Sequence, residues 1–207
     1  MKTISTKGAI VAFAIVVVVA VGAYLAINNT SGHDGHSANS NSSDTSSASS
    51  TSAKFNDTDV MFAQMMIPHH EQAVEMSKLA ATRAGSSEVK ALASKIEAAQ
   101  GPEIATMQGW LKDWNASSDG SSMGGMDHSG HDMEGMMSDS EMADLESKSG
   151  DAFDQAFLSM MIEHHSGALG MAKTEIADGE NPDAIALAKT IESTQQAEIK
   201  QMEALLK

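Results

Sequence analysis

The sequence predicts an all-α protein, a four-helix bundle made of two copies of one helical hairpin, behind an N-terminal apolar segment and a polar tether. Three observations predict it. Apolar residues between Asp57 and Leu111 recur at i, i+3, i+4 and i+7, the period of a helix with one buried face. The stretch from Asp59 to Leu111 reappears without gaps at an offset of 95, with 20 of 53 positions identical. Only short Gly, Ser and Asn signals interrupt each copy, so each reads as two antiparallel helices. Two such hairpins bury their apolar stripes only against one another, which gives four helices with one long crossover.

At the N-terminus, Lys2 and Lys7 precede an uncharged run from Gly8 to Ile27, 20 residues long, which matches a bilayer-spanning helix. A cleaved signal peptide is the alternative, with Ala23 to Ala26 as its small-residue site. An uncleaved anchor over residues 1–27 is the expectation, and either reading exports the rest of the chain. No Cys stands after the run, so a lipid-anchored Cys is excluded. Residues 28–56 are Ser, Asn, Thr, Gly and Asp with no apolar period, a solvated tether carrying His33 and His36. The bundle is expected over 57–207. Its first helix runs from about Asp57 to Ala84, with a break at Gly85-Ser86 and an N-cap at Ser86 for the second. A polar linker spans 115–138. Ser138 and Glu141 suit a capping box for a third helix expected from about Ser140 to Ala177. Asn181 before Pro182 starts the fourth. Pro68 and Pro102 fall inside helical patterns, where kinks are expected.

Composition narrows function. The formal charge is −15, which argues against nucleic acid and favours cations as partners. There is no Cys, so thiolate metal sites, disulfides and Cys nucleophiles are excluded. Against this stand 16 Met and 8 His in 207 residues. Measured at 100° per residue, His69, Met65 and Met76 lie within about 60° of Phe62 on the inward stripe. His70 lies about 80° away, flanking that stripe beside Asp59, where the bland reading is a solvated side chain. On the second helix Gln100, Glu103 and Met107 share the inward face. A hairpin closing at Gly85 brings His69 level with Gln100 and Glu103, and the repeat does the same with His164, Met160, Glu198 and Met202. A Met stripe is usually core filler, and a lone inward His is usually a satisfied core residue. The linker weighs against filler: it has no core, yet holds Met123, Met126, His128, His131, Met133, Met136 and Met137.

Thioether and neutral imidazole are soft to borderline donors that select Cu(I), and Ag(I) for the same reason. His128 and His131, bracketed by Met126 and Met133, let a flexible chain wrap one ion, and acidic neighbours add affinity for Cu(II). A di-iron oxidase normally requires Glu-x-x-His on two helices, and no Glu stands three residues before any His. No His-Glu-x-x-His points to zinc hydrolysis.

Met-Ile-Pro-His-His-Glu-Gln-Ala-Val-Glu-Met at Met66–Met76, with its copy at Met161–Met171, resembles the signature of the domain of unknown function 305 family. The resemblance implies a ferritin-like bundle, usually exported, with some members binding copper in copper resistance. It implies as ligands Met65, Met66, His69, His70 and Met76, with Met160, Met161, His164, His165 and Met171. The second copy departs from the motif at Glu163, where the first has Pro68. The expected function is therefore extracytoplasmic sequestration or transfer of copper, as Cu(I) before Ag(I) or Cu(II), with membrane attachment and a copper-transfer partner protein. A bundle-bound metal oxidoreductase using His69, His164, Glu103 and Glu198, and a structural module without metal, are the alternatives.

Overall fold

The computed structural model describes residues 54–118 and 134–207. The apolar segment, the tether up to Ala53, and Met123, Met126, His128, His131 and Met133 lie outside the described residues. The described chain is all-α: α1 (Asp57–Arg83), α2 (Ser87–Asp113), α3 (Asp139–Ser147), α4 (Asp151–Asp178) and α5 (Pro182–Leu205). Among the described residues there is no strand, and no helix is long and apolar enough to cross a membrane.

The starts of the helices are written in their caps. Asn56 and Asp59 form a capping box on α1, and the Ser86 hydroxyl accepts from Val89 N–H at the head of α2. The Ser138–Glu141 box caps α3 as expected. Asn181 caps α5, with Pro182 at its first position. These caps supply acceptors to N–H groups that have no partner inside the helix. Both α1 and α2 run on through Pro68 and Pro102.

The third helix differs from expectation. The chain breaks at Lys148–Gly150, so the single helix expected from about Ser140 is the short α3 and then α4. Gly150 sits at φ 62°, a left-handed conformation that a side chain disfavours. Its N–H donates to the Arg83 carbonyl at 2.8 Å, tying the start of α4 to the end of α1.

α1 pairs with α2 and α4 with α5, and the two hairpins join mainly through α1 against α4. A reciprocal contact closes the join at each end. Asp59 accepts from Glu180 N–H at 3.2 Å and Asn181 N–H at 2.8 Å, in the turn of the second hairpin. Asp154, its repeat partner, accepts from Gly85 N–H at 3.0 Å and Ser86 N–H at 2.8 Å, in the turn of the first. Each hairpin thus caps the other with the same aspartate of the repeat.

The core divides into two clusters that obey this pseudo-twofold. One contains Met66 and Met107 with Met171 against them; the other contains Met161, Met202 and Met76. Each methionine of the first set is the repeat counterpart of one in the second.

Candidate metal centre

α1 and α4 carry the two His-His pairs on their facing sides. His69 and His164 meet where the helices cross, with ring centroids 3.8 Å apart and planes tilted by 41°. Both are fully buried. None of their four ring nitrogens has a hydrogen-bond partner among the described residues. Each neutral imidazole carries one donor and one acceptor, and leaving such a group buried and unpaired costs about 1–3 kcal/mol. Burial, and then the neighbouring imidazoles, push His69 down to about 3 and His164 to about 2. Backbone carbonyls of Glu134 and His69 lean toward the two rings and offset this slightly, without reaching hydrogen-bonding geometry. Both imidazoles therefore stay neutral, with lone pairs free for a soft ion.

The second histidine of each pair departs from its expected place. His70 and His165 are fully buried, not solvated. It is His70, and not His69, that comes level with Glu103: His70 Nε2 lies 2.9 Å from Glu103 Oε2. The repeat reproduces this at 2.7 Å between His165 Nε2 and Glu198 Oε2. His69 and His70 point about 100° apart on α1, so His69 meets α4 while His70 meets α2. The consequence is a division of labour. The carboxylates orient the outer histidines, and the inner pair is left without a hydrogen-bond partner among the described residues.

The thioethers of the bundle lie at several depths. Met66 and Met161, one turn before His69 and His164, are fully buried, as are Met76, Met107 and Met202. Met65, Met160 and Met171 are half-buried. Among the described residues no group of three or more His, Asp or Glu is arranged to hold a metal ion. The donor set of this region is imidazole and thioether, which fits a soft monovalent ion and not a hard one.

The end of the linker lies directly over the histidines. Gln72 pairs with the Met137 backbone through two hydrogen bonds of 2.8 Å, and Met137 is buried. Just before it, Glu134 and Gly135 press on α4 at Gly167, so tightly that a Cβ built at Gly167 would stand 1.8 Å from the Glu134 carbonyl oxygen. Gly167 was missed as a site residue in the sequence. Its only signal there is a small residue two positions after His165, where the first copy has Gln72.

Residues 59–206 match the family described as Domain of unknown function (DUF305). No curated protein matches the chain. Among solved structures, a DUF305 protein from Streptomyces coelicolor is 36% identical with a TM-score of 0.64, covering 72% of this chain and 91% of its own. CopM in the Cu(II)-bound form is 34% identical with a TM-score of 0.61, covering 72% of this chain and 95% of its own. CopM in the Cu(I)-bound form is 31% identical with a TM-score of 0.59, covering 72% and 96%. With its paired His-His motifs, its internal repeat and its helical hairpins, the chain belongs to the DUF305 family.

Proposed function

We propose that this protein binds copper as Cu(I), and accepts Ag(I) and Cu(II), to sequester it or hand it to a partner protein outside the cytoplasm. The observation that carries the reading is the His69–His164 contact: two buried neutral imidazoles with four unpartnered ring nitrogens. A fold of marginal stability keeps such a cost only where something else repays it. Thioethers one helical turn away supply the soft donors, first the buried Met66 on α1 and Met161 on α4. Met76, Met107 and Met202 are the further fully buried thioethers of the bundle. His70 and His165, held by Glu103 and Glu198, keep the helices in the rotation that presents the inner pair. The Cu(I)- and Cu(II)-bound forms of CopM support the choice of metal.

The linker at 115–138 is the capture segment in this reading, through His128, His131, Met126 and Met133. Its end is docked above the histidine pair by Gln72 and Gly167. Residues 1–27 anchor the chain in the membrane or direct its export, and 28–56 tether the bundle at 57–207. Equilibrium dialysis against a Cu(I)-buffered solution tests the assignment. His69→Ala/His164→Ala is expected to lower the bound copper while leaving the helical content unchanged. Unchanged stoichiometry and affinity in that variant would refute the site.

A further inference from the structure

Between the start of α1 and the end of α4 the bundle opens in a cleft of about 280 Å³, into which Met61, Met65 and Met171 bring thioether groups and Glu175 brings a carboxyl. Glu175 is fully buried, and among the described residues its carboxyl has only the Asp59 carboxylate to bond with. Its polar neighbour is Asp59, whose carboxylate is already held by Asn56, Glu180 and Asn181 N–H. An ionised carboxylate in that position would have only a second carboxylate beside it, so the Glu175 carboxyl is held in its neutral form against Asp59 until a cation balances its charge.

The repeat shows that this cleft is not an accident of packing. Its counterpart in the other half is closed. Where the cleft has Thr58, Met61, Thr174 and Glu175, the other copy has Phe153, Ala156, Leu79 and Ala80. These pack into one apolar cluster with Met76 and Met160, the counterparts of Met171 and Met65. One backbone arrangement thus occurs twice, once filled with hydrocarbon and once hollowed out and given a third thioether and a buried carboxylate. Gly167 on α4 is covered by the Glu134 backbone, and one turn on Gly170 leaves room beside the cleft.

We infer that Met61, Met65, Met171 and Glu175 form a second soft-cation site, for Cu(I) or Ag(I), separate from the His69–His164 pair and present in only one half of the repeat. The inference rests on the soft-metal reading of the bundle. Three thioethers satisfy the preference of a soft ion, and the carboxyl groups of Glu175 and Glu134, which also lines the cleft, supply the charge that balances it. Among the described residues Met61 is one of the few large apolar side chains left exposed, at 42%, which places a thioether at the mouth where an arriving ion meets it first.

The test is a titration of the full-length chain with Ag(I) alone, tracked through the ¹³C-methyl signals of its methionines. The expected result is that Met61, Met65 and Met171 move together, in wild type and in His69→Ala/His164→Ala alike. In Glu175→Gln, which keeps the shape and loses the charge, this phase is expected to weaken more than the roughly tenfold that losing an outer partner costs. Met61→Leu/Met171→Leu is expected to abolish it, with circular dichroism confirming the fold. The cleft is overturned if those three signals stay still while Met66 and Met161 respond, a result that leaves the histidine-pair reading standing. The reverse pattern, with cleft signals moving and no effect of the histidine substitutions on copper binding, sinks the histidine pair and leaves the cleft. An unchanged titration in Glu175→Gln also overturns the site as drawn.

Discussion

His69 and His164 set the acid behaviour of the fold. An unfolded chain protonates both near pH 6.5, whereas burial holds the folded pKa values at about 3 and about 2. The folded state therefore takes up fewer protons, and stability that is intact above pH 6.5 is lost as pH falls toward those values. At pH 5 the loss is about 2 kcal/mol per imidazole, from about 1.4 kcal/mol for each pH unit below 6.5. Urea denaturation at pH 7 and pH 5 measures it. His69→Leu/His164→Leu is expected to flatten the difference; an equally steep fall in that variant would show that other groups control it. The same substitution removes four unpaired polar groups, so the variant is also expected to be more stable than wild type at pH 7. Metal-binding function and stability pull against each other at these two positions.

The docked end of the linker shows how an element-level contact is decided by magnitudes. Gly167→Ala improves helix propensity in α4 by about 1 kcal/mol. Against this, the new Cβ collides with the Glu134 carbonyl and pushes the 134–137 segment away. The two bonds between Gln72 and Met137 are worth about 1 kcal/mol each, and burial of the Met137 side chain about 1.5–3 kcal/mol. The loss wins, and a net destabilisation of about 3 kcal/mol is expected. Hydrogen exchange at the Met137 amide reports it: protection in wild type and fast exchange in Gly167→Ala, while the amides of α4 stay protected. Retained protection at Met137 would mean that the segment accommodates the methyl group and that Gly167 is not its docking point.

At the scale of the whole molecule, the two hairpins are joined by helix packing in the middle and by aspartates at the ends. Asp154 satisfies the Gly85 and Ser86 N–H groups, which otherwise head α2 without acceptors. Charge-assisted bonds of this kind are worth about 1.5–3 kcal/mol each, so Asp154→Ala is expected to cost about 3 kcal/mol and to lower Tm. Asp59→Ala removes the equivalent bonds and also the carboxylate beside Glu175. Burial and that neighbouring carboxylate push Glu175 up to about 8. Removing Asp59 therefore trades lost capping against relieved repulsion. The two substitutions are expected to differ in their pH profiles, Asp59→Ala costing less at pH 9 than at pH 6, whereas Asp154→Ala costs the same at both. Equal profiles would contradict the coupling between Asp59 and Glu175.

Much of this architecture is legible in the residues alone. Helical spacing, the 95-residue offset, and the caps at Ser86, Ser138 and Asn181 are local properties of the chain, and local rules read them. The same holds for the donor chemistry, since Met and His without Cys already select a soft ion. Periodicity places a residue around its own helix axis and says nothing about how that helix is turned against its neighbour. Adjacent residues point 100° apart, and how α1 is turned against α2 decides that His70 and not His69 meets Glu103. That rotation, the break at Gly150 and the opening of one cleft of the pair arise from contacts between segments far apart in the chain. Packing alone therefore decided that the two inner imidazoles face each other unpartnered.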